Sequence, residues 1–420
     1  MSSAVEARCA DNAGAAPAQP SVPVPLTEPA DGVPTVISDS AALVEAAATL
    51  RAGTGPVAVD TERASGYRYS QRAYLVQLRR AGAGTFLIDP IGIESELRPL
   101  IEALSGTEWV LHAASQDLPC LVELGLRPDV LFDTELAGRL TGFDRVSLGA
   151  LVERLLGYTL EKGHGAADWS LRPLPADWLN YAALDVELLV PLRDVLVTQL
   201  TEQGKLEWAE QEFEAVRTAK PPAPRSEPWR RTSGIHRLRK PRQRAAVRAL
   251  WQAREAVAAE RDISPGRVLP DSAIIQAAST DPADESELVR LPVFRGRAQR
   301  RMARTWVEAL RSARELPSAE LPESVPVSDG PPPPNRWADR DPDAAVRLSA
   351  ARATLAEIAE AYNLPAENLL QPDLVRRTCW QPPQDIGAAS VAEALRAGGA
   401  RPWQIGLTAP ALSAALHTHA

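Results

Sequence analysis

The sequence predicts an α/β domain built on a sheet of mixed direction, followed by two all-α domains. Three observations carry that prediction. Between residues 34 and 219, short β-rich runs alternate with longer segments whose apolar residues recur at helical spacing. Two proline-rich breaks, at 220–229 and 313–335, then divide the chain. After each break the apolar pattern is helical. The chain has 420 residues, of which 45% are hydrophobic and 24% charged, an ordinary globular usage that suits about two to three domains.

In chain order, residues 1–33 are rich in Ala and Pro without an uninterrupted apolar run, so neither a signal peptide nor a membrane span is expected. They read as a disordered tail. Pro56–Asp60, Ala73–Leu78 and Thr85–Asp89 read as strands of an antiparallel meander, the last two joined by the Ala-Gly-Ala-Gly turn at 81–84. Trp109–His112 reads as a further strand after a helix over Glu94–Leu104. Thr134–Leu140, Leu148–Leu155 and Trp178–Gln203 read as helices. A meander followed by alternating helices and strands predicts the mixed sheet.

The first helical domain, 230–312, opens on a long helix over Arg242–Arg261. A turn at Asp262 through Pro265 and Gly266 follows, then shorter helices near Asp271–Ala278 and Arg297–Arg311, with Asp271 expected as an N-cap. The second, 336–420, repeats that order with a long helix over Asp343–Tyr362, which suggests a diverged internal duplication. The four consecutive prolines Pro331–Pro334 before it mark an extended spacer.

Net charge is −8, which taken alone argues against a protein that grips a polyanion. The distribution of charge argues the other way. Ten Lys/Arg face one acid between Arg225 and Arg254, and six Arg face none between Arg290 and Arg304. Cys9, Cys120 and Cys379 are odd in number and lack metal or redox spacing, which fits reduced thiols in a cytoplasm.

Three short motifs carry chemistry. Val-Ala-Val-Asp60-Thr61-Glu62 sets two carboxylates two residues apart on an apolar strand, so both project to one face of the sheet, where they could hold a hard divalent cation. A solvated strand edge is the bland reading. Asp117 follows the strand that ends in His112 by five residues; alone it reads equally as a first-turn helix acid, and His112 as a hydrogen-bonded core histidine. Tyr181 and Asp185 are four apart, hence on one helix face, where a phenol beside a carboxylate can position water or merely form a surface hydrogen bond.

Their conjunction in this order resembles the DEDD 3′→5′ exonucleases whose third motif carries tyrosine, and closely resembles the ribonuclease D family. The likeness extends to Ala-Tyr-Leu-Val-Gln77-Leu, to Lys162-Gly163, and to Asp168-Trp169-Ser-Leu-Arg172-Pro173-Leu174. It implies a ribonuclease H-like exonuclease domain and two divalent ions, Mg²⁺ or Mn²⁺, held by Asp60, Glu62, Asp117 and Asp185. Asp60 would be shared by both ions, Glu62 and Asp185 would complete the water-activating site, and Asp117 would serve the other. Tyr181 would orient the attacking water, since an ordinary phenol is a poor base at neutral pH. Thr61, Gln77, His112 and Lys162 are expected at the substrate.

Residues 230–311 resemble the HRDC domain shared by RecQ-type helicases and ribonuclease D, most clearly in Asp262-Ile-Ser-Pro265-Gly-Arg-Val268-Leu269-Pro-Asp271. Arg237, Arg239, Lys240 and Arg242 form the expected phosphate-backbone contact. The 336–420 segment is HRDC-like only loosely. The expected function is cytoplasmic 3′→5′ trimming of single-stranded RNA ends, transfer RNA precursors included, releasing nucleoside 5′-monophosphates, with no membrane and no obligatory protein partner. Two alternatives remain at this point: a DNA 3′→5′ exonuclease, and a catalytically silent RNA-binding scaffold.

Overall fold

Apolar strands that alternate with amphipathic helices bury best as a sheet covered on both faces, and the computed structural model has that arrangement. It describes residues 22–161, 163–221, 223–323 and 330–417. The strands are β1 (Val24–Leu26), β2 (Val36–Ile37), β3 (Thr54–Arg63), β4 (Ala73–Ala81), β5 (Gly84–Ile88), β6 (Glu108–Leu111), β7 (Val130–Asp133) and β8 (Tyr158–Leu160). Six of them form one sheet in the order β2-β5-β4-β3-β6-β7. The predicted meander β3-β4-β5 is antiparallel, while β2, β6 and β7 join in parallel.

Around this sheet lie α1 (Ser40–Ala52), α2 (Arg98–Leu104), α3 (Leu118–Glu123), α4 (Thr134–Leu140), α5 (Leu148–Leu156), α6 (Ala176–Glu187), α7 (Leu189–Glu202) and α8 (Leu206–Arg217). Two predicted helices are broken where the backbone leaves helical geometry. The segment 94–104 is a 3-10 turn and then α2, which has Pro99 in its first turn. The segment 178–203 divides at Leu188 (φ −112°, ψ 7°) into α6 and α7. That break leaves α6 as a short separate helix laid across the sheet, and α6 carries the third motif.

The expected disordered tail over residues 1–33 is corrected in its described part: β1 pairs in parallel with β8. The segment is tied down further by Ala30 N–H donating to Glu187 and by the Asp31–Arg79 ion pair. Residues 1–21 lie outside the described residues, as does Lys162.

The chain then forms α9 (Pro241–Arg261), α10 (Pro265–Val268), α11 (Asp271–Thr280), α12 (Glu285–Leu288), α13 (Arg297–Arg301) and α14 (Ala303–Glu315). Their core, with Trp229, Leu250, Phe294 and Trp306, is separate from the sheet's. The linker expected at 220–229 therefore ends earlier, because Trp229 belongs to this core. The linker expected from 313 begins later, because α14 runs to Glu315 and Leu321 packs behind it. Asp271 is not an N-cap. Its carboxylate instead accepts from Arg254 (2.7 Å) and from the Ser233 backbone N–H (2.7 Å).

The C-terminal unit comprises α15 (Trp337–Arg340), α16 (Pro342–Ala361), α17 (Ala366–Leu369), α18 (Pro372–Trp380), α19 (Ala388–Ala397) and α20 (Pro402–His417). The order long, short, medium repeats that of α9, α10 and α11, including a residue of positive φ after each long helix, Asp262 (48°) and Asn363 (47°). Unlike the preceding unit, it shares one continuous hydrophobic core with the sheet domain.

Candidate active site

β3 is apolar up to Val59, and its alternation then sends Asp60 and Glu62 to the face that α6 covers. α6 is held on that face by Ala182 and Ala183, which pack with Leu75, Leu87 and the fully buried Trp169. Its i, i+4 spacing brings Tyr181 and Asp185 down over the strand. The result is that ligand oxygens of Asp60, Glu62 and Asp185 all lie within 4.8 Å of one another.

Asp117 arrives from the other side. A left-handed Ala113 (φ 56°) and a 3-10 turn at Ala114–Gln116 end β6 and set Asp117 at the start of α3. Buried Asp133, at the end of β7, fixes that turn by accepting the N–H groups of Ala113 (3.1 Å) and Ala114 (2.8 Å) while capping α4 through Glu135 and Leu136. The Asp117 carboxylate then accepts from Thr61 Oγ1 (2.8 Å) and faces Arg63 Nη2 at 3.6 Å.

Desolvation dominates the electrostatics. Burial, then the neighbouring carboxylates, raise Asp60 well above the carboxylate range, Glu62 to about 9 and Asp185 to about 7. Asp117 is raised by burial and lowered again by Thr61 and Arg63. Tyr181 is raised far above the usual phenol by burial and by the neighbouring Asp185 and Glu62, so its hydroxyl keeps its proton. Three carboxylates this close repel by about 3–4 kcal/mol per pair even at an effective dielectric near 20.

Such a donor set fits a divalent cation. The oxygens are hard, they converge, and only a positive charge lets them ionise together. A second observation agrees: Gln77, directly opposite Asp60 in the β3-β4 register, is completely buried with neither amide atom hydrogen-bonded. A buried amide without a partner costs about 1–3 kcal/mol, so it marks a place where a group is needed.

The other expected substrate residues divide. Thr61 lines a crevice of about 270 Å³ with Glu62, Arg63, Ser65, Gly66 and Gly165, but its hydroxyl is spent on Asp117. Gln77 is corrected from substrate contact to a place beneath α6 beside Asp60, because it has no exposed surface. His112 bonds Thr134 Oγ1 through Nδ1 (2.9 Å), and burial lowers it to about 4, so it is a neutral imidazole near neutral pH. Arg172, from the 168–174 motif that extends the likeness, braces the fold, bidentate on Asp89 and bonded to the Tyr74 and Trp169 carbonyls.

The expected basic contact is also corrected in part. Arg242 caps the Ala313 and Leu316 carbonyls behind α14, whereas Arg237, Arg239 and Lys240 stay exposed. They sit at the start of α9, whose other end meets the crevice rim. There Asp262 accepts the Tyr69 and Ser70 N–H groups, Ser264 N–H donates to the Tyr67 carbonyl (2.9 Å), and Arg267 donates to the Gly66 carbonyl (2.8 Å). With 21 residues in α9, about 30 Å separates its two ends.

Sequence reasoning missed Asp133, Arg63 and His164. The Asp133-Thr134-Glu135 run ahead of α4 was a readable helix start. Nothing local signalled that Arg63 would meet Asp117 or that His164 would lie against Tyr181.

Comparison with known proteins agrees with this geometry. Residues 34–201 match the family described as 3'-5' exonuclease, 243–310 the HRDC domain, and 330–416 the 3' to 5' exonuclease C-terminal domain. Ribonuclease D of Granulibacter bethesdensis is 31% identical over 363 residues, covering 84% of this chain and 88% of that protein. A crystal structure of a protein from Bifidobacterium adolescentis superposes with a TM-score of 0.86 at 37% identity, covering 94% of this chain and all of that one. The structure of Escherichia coli RNase D, described as an exoribonuclease involved in structured RNA processing, gives 0.66 at 25% identity, covering 92% and 99%. With its acids converging where a phosphodiester could be hydrolysed and its likeness running nearly end to end, the chain belongs to the ribonuclease D family of 3′→5′ exoribonucleases.

Proposed function

We propose that this exoribonuclease shortens single-stranded 3′ ends of structured RNAs such as transfer RNA precursors, releasing nucleoside 5′-monophosphates in the cytoplasm. The observation that carries the reading is the convergence of Asp60, Glu62 and Asp185 within 4.8 Å, with Tyr181 on the same helix face as Asp185. Two divalent ions, Mg²⁺ or Mn²⁺, would be held by these three acids and Asp117. When bound, such ions supply hydroxide near neutral pH and relieve charge on the leaving oxygen.

The chain's own residues do the rest. Tyr181, kept protonated beside Asp185, would orient the attacking water. Thr61 and Arg63 hold Asp117 in place. A single strand would enter the crevice by stacking and backbone contacts, while duplex would be excluded by shape.

Upstream RNA would leave over the near end of the HRDC unit. Arg267 stacks 4.0 Å above the Tyr67 ring at the rim. α13 is fastened beside Arg267 by Gln299 bonding the Val268 carbonyl (2.6 Å), and its exposed Arg297, Arg300 and Arg301 would meet the RNA there. Arg237, Arg239 and Lys240, at the far end of α9, would meet only longer RNA.

The test is degradation of 5′-labelled single-stranded RNA and DNA in Mg²⁺ or Mn²⁺, comparing the parent protein with Asp60→Asn. A stepwise RNA ladder that vanishes in the variant and with EDTA supports the reading. Preference for DNA would move it to a DNA exonuclease, and binding without cleavage to a silent scaffold.

A further inference from the structure

Loop 163–167 bounds the crevice opposite β3 and is pinned from beneath: the fully buried Trp169 donates its Nε1–H to the His164 carbonyl (3.1 Å). That anchor sets the His164 side chain over α6. Its ring lies edge-on to Tyr181, with centroids 5.8 Å apart and planes at 87°, and 5.9 Å from Trp178. Its Nε2 is 3.5 Å from Asp177 Oδ2, and Asp177 is on α6 one turn before Tyr181, on the same helix face. The loop backbone completes the enclosure, since a Cβ on Gly165 would sit 3.6 Å from the Tyr181 hydroxyl.

We propose that His164 is a positioning residue for Tyr181: the imidazole, steered by Asp177, stands against the phenol ring and keeps its hydroxyl turned toward Asp185, behind the Gly165 wall of the crevice. The assignment rests on the exonuclease reading above, because it concerns how that site holds its water-orienting phenol. Tyr181 is only half-buried, so packing alone does not fix its ring from every side. A phenol that swings by one rotamer leaves Asp185 and takes the water's hydrogen-bond partner with it. The edge-on ring supplies the missing wall, a geometry that aromatic pairs favour over stacking face to face.

The experiment is steady-state cleavage of a 5′-labelled RNA oligonucleotide by the full chain in Mn²⁺, in a double-mutant cycle. His164→Ala should lower kcat about three- to tenfold, the fold-change of one edge-to-face aromatic contact, with KM within about twofold. His164→Gln, which keeps a polar partner for Asp177 but no ring, should lose as much, whereas His164→Phe should recover most of kcat. In a Tyr181→Phe background, which has no hydroxyl left to position, His164→Ala should cause no further loss. Thermal denaturation shows which variants remain folded; should His164→Ala unfold, the Gln and Phe pair decides in its place. A raised KM at unchanged kcat would mean that His164 touches RNA directly, and an equal loss in the Tyr181→Phe background would mean that it acts apart from Tyr181. Either outcome overturns the assignment. A parent protein that leaves RNA intact would overturn the exonuclease reading itself, which is a separate result.

Discussion

The two helical units behind the exonuclease domain have the same order of helices and opposite modes of attachment. The C-terminal unit is fused to it. Trp403 stacks on Trp208 of α8 with centroids 4.9 Å apart and planes at 11°, its indole donates to buried Glu212 (2.9 Å), and Arg401 pairs with the same carboxylate (2.7 Å). The HRDC unit keeps its own core and touches the exonuclease domain through polar groups on one turn, Asp262, Ser264 and Arg267, which grip the backbone of the crevice rim. Apolar fusion resists separation, whereas a polar contact on loop backbone costs little to remake, so the first joint serves stability and the second serves the shape of the site.

Trp403→Ala gives the largest expected effect. It removes a buried indole and leaves Glu212 short of a partner, so the exonuclease domain should lose about 3–5 kcal/mol in denaturant unfolding. A loss confined to the C-terminal helices, with the sheet domain unmoved, would break the contrast.

Mn²⁺ sharpens it. At a concentration about 100 times Kd, stabilisation of about 2.7 kcal/mol is expected in the transition that contains the sheet and the C-terminal unit, and none in a separate HRDC transition. The sign with pH follows from the raised acids. Folded-state values of about 9 for Glu62 and about 7 for Asp185 mean that metal-free stability falls as pH rises from the unfolded values, 4.5 and 3.8, through those folded ones. The cation takes the deprotonated groups, so its increment to Tm should be larger at pH 8 than at pH 6; the reverse order, measured by calorimetry, would contradict the site.

Asp262→Ala should cost only about 1 kcal/mol of stability yet raise KM for RNA, because loop 66–72 loses the carboxylate that orders it. Unchanged KM would show that the HRDC contact does not shape the crevice. The smallest effects belong to the exposed cations. Neutralising Arg297, Arg300 and Arg301 should lower the salt slope of RNA binding by about 2–3, while neutralising Arg237, Arg239 and Lys240 should do so only for long RNA. Equal slopes on short oligonucleotides would erase the distinction between the two ends of α9.

Much of the site was legible in the sequence because it is written in local periodicities. Strand alternation put Asp60 and Glu62 on one face, and helical spacing put Tyr181 over Asp185, before any tertiary contact was known. What local pattern does not encode is which distant segment arrives beside which. The β6-to-α3 turn depends on Asp133 from the next strand, and the half-buried Arg242 looks like its exposed neighbours until α14 packs across it. β1 was lost to its composition, because three residues in a proline-rich stretch form a strand only when β8 is present as a template.

The bond from Trp403 to Glu212 spans 191 positions. At a ribosomal rate of about 5–20 residues per second, roughly 10–40 s pass between the emergence of α8 and of the tryptophan that covers it. Throughout that interval the acid cluster can assemble, since every residue of it precedes α8, while a face carrying Trp208 and Glu212 lies open to solvent and to other nascent chains. The acids can thus meet before their cover arrives, and a chain stalled just beyond α8 would expose that face while still lacking the Asp262 and Arg267 grip on the crevice rim.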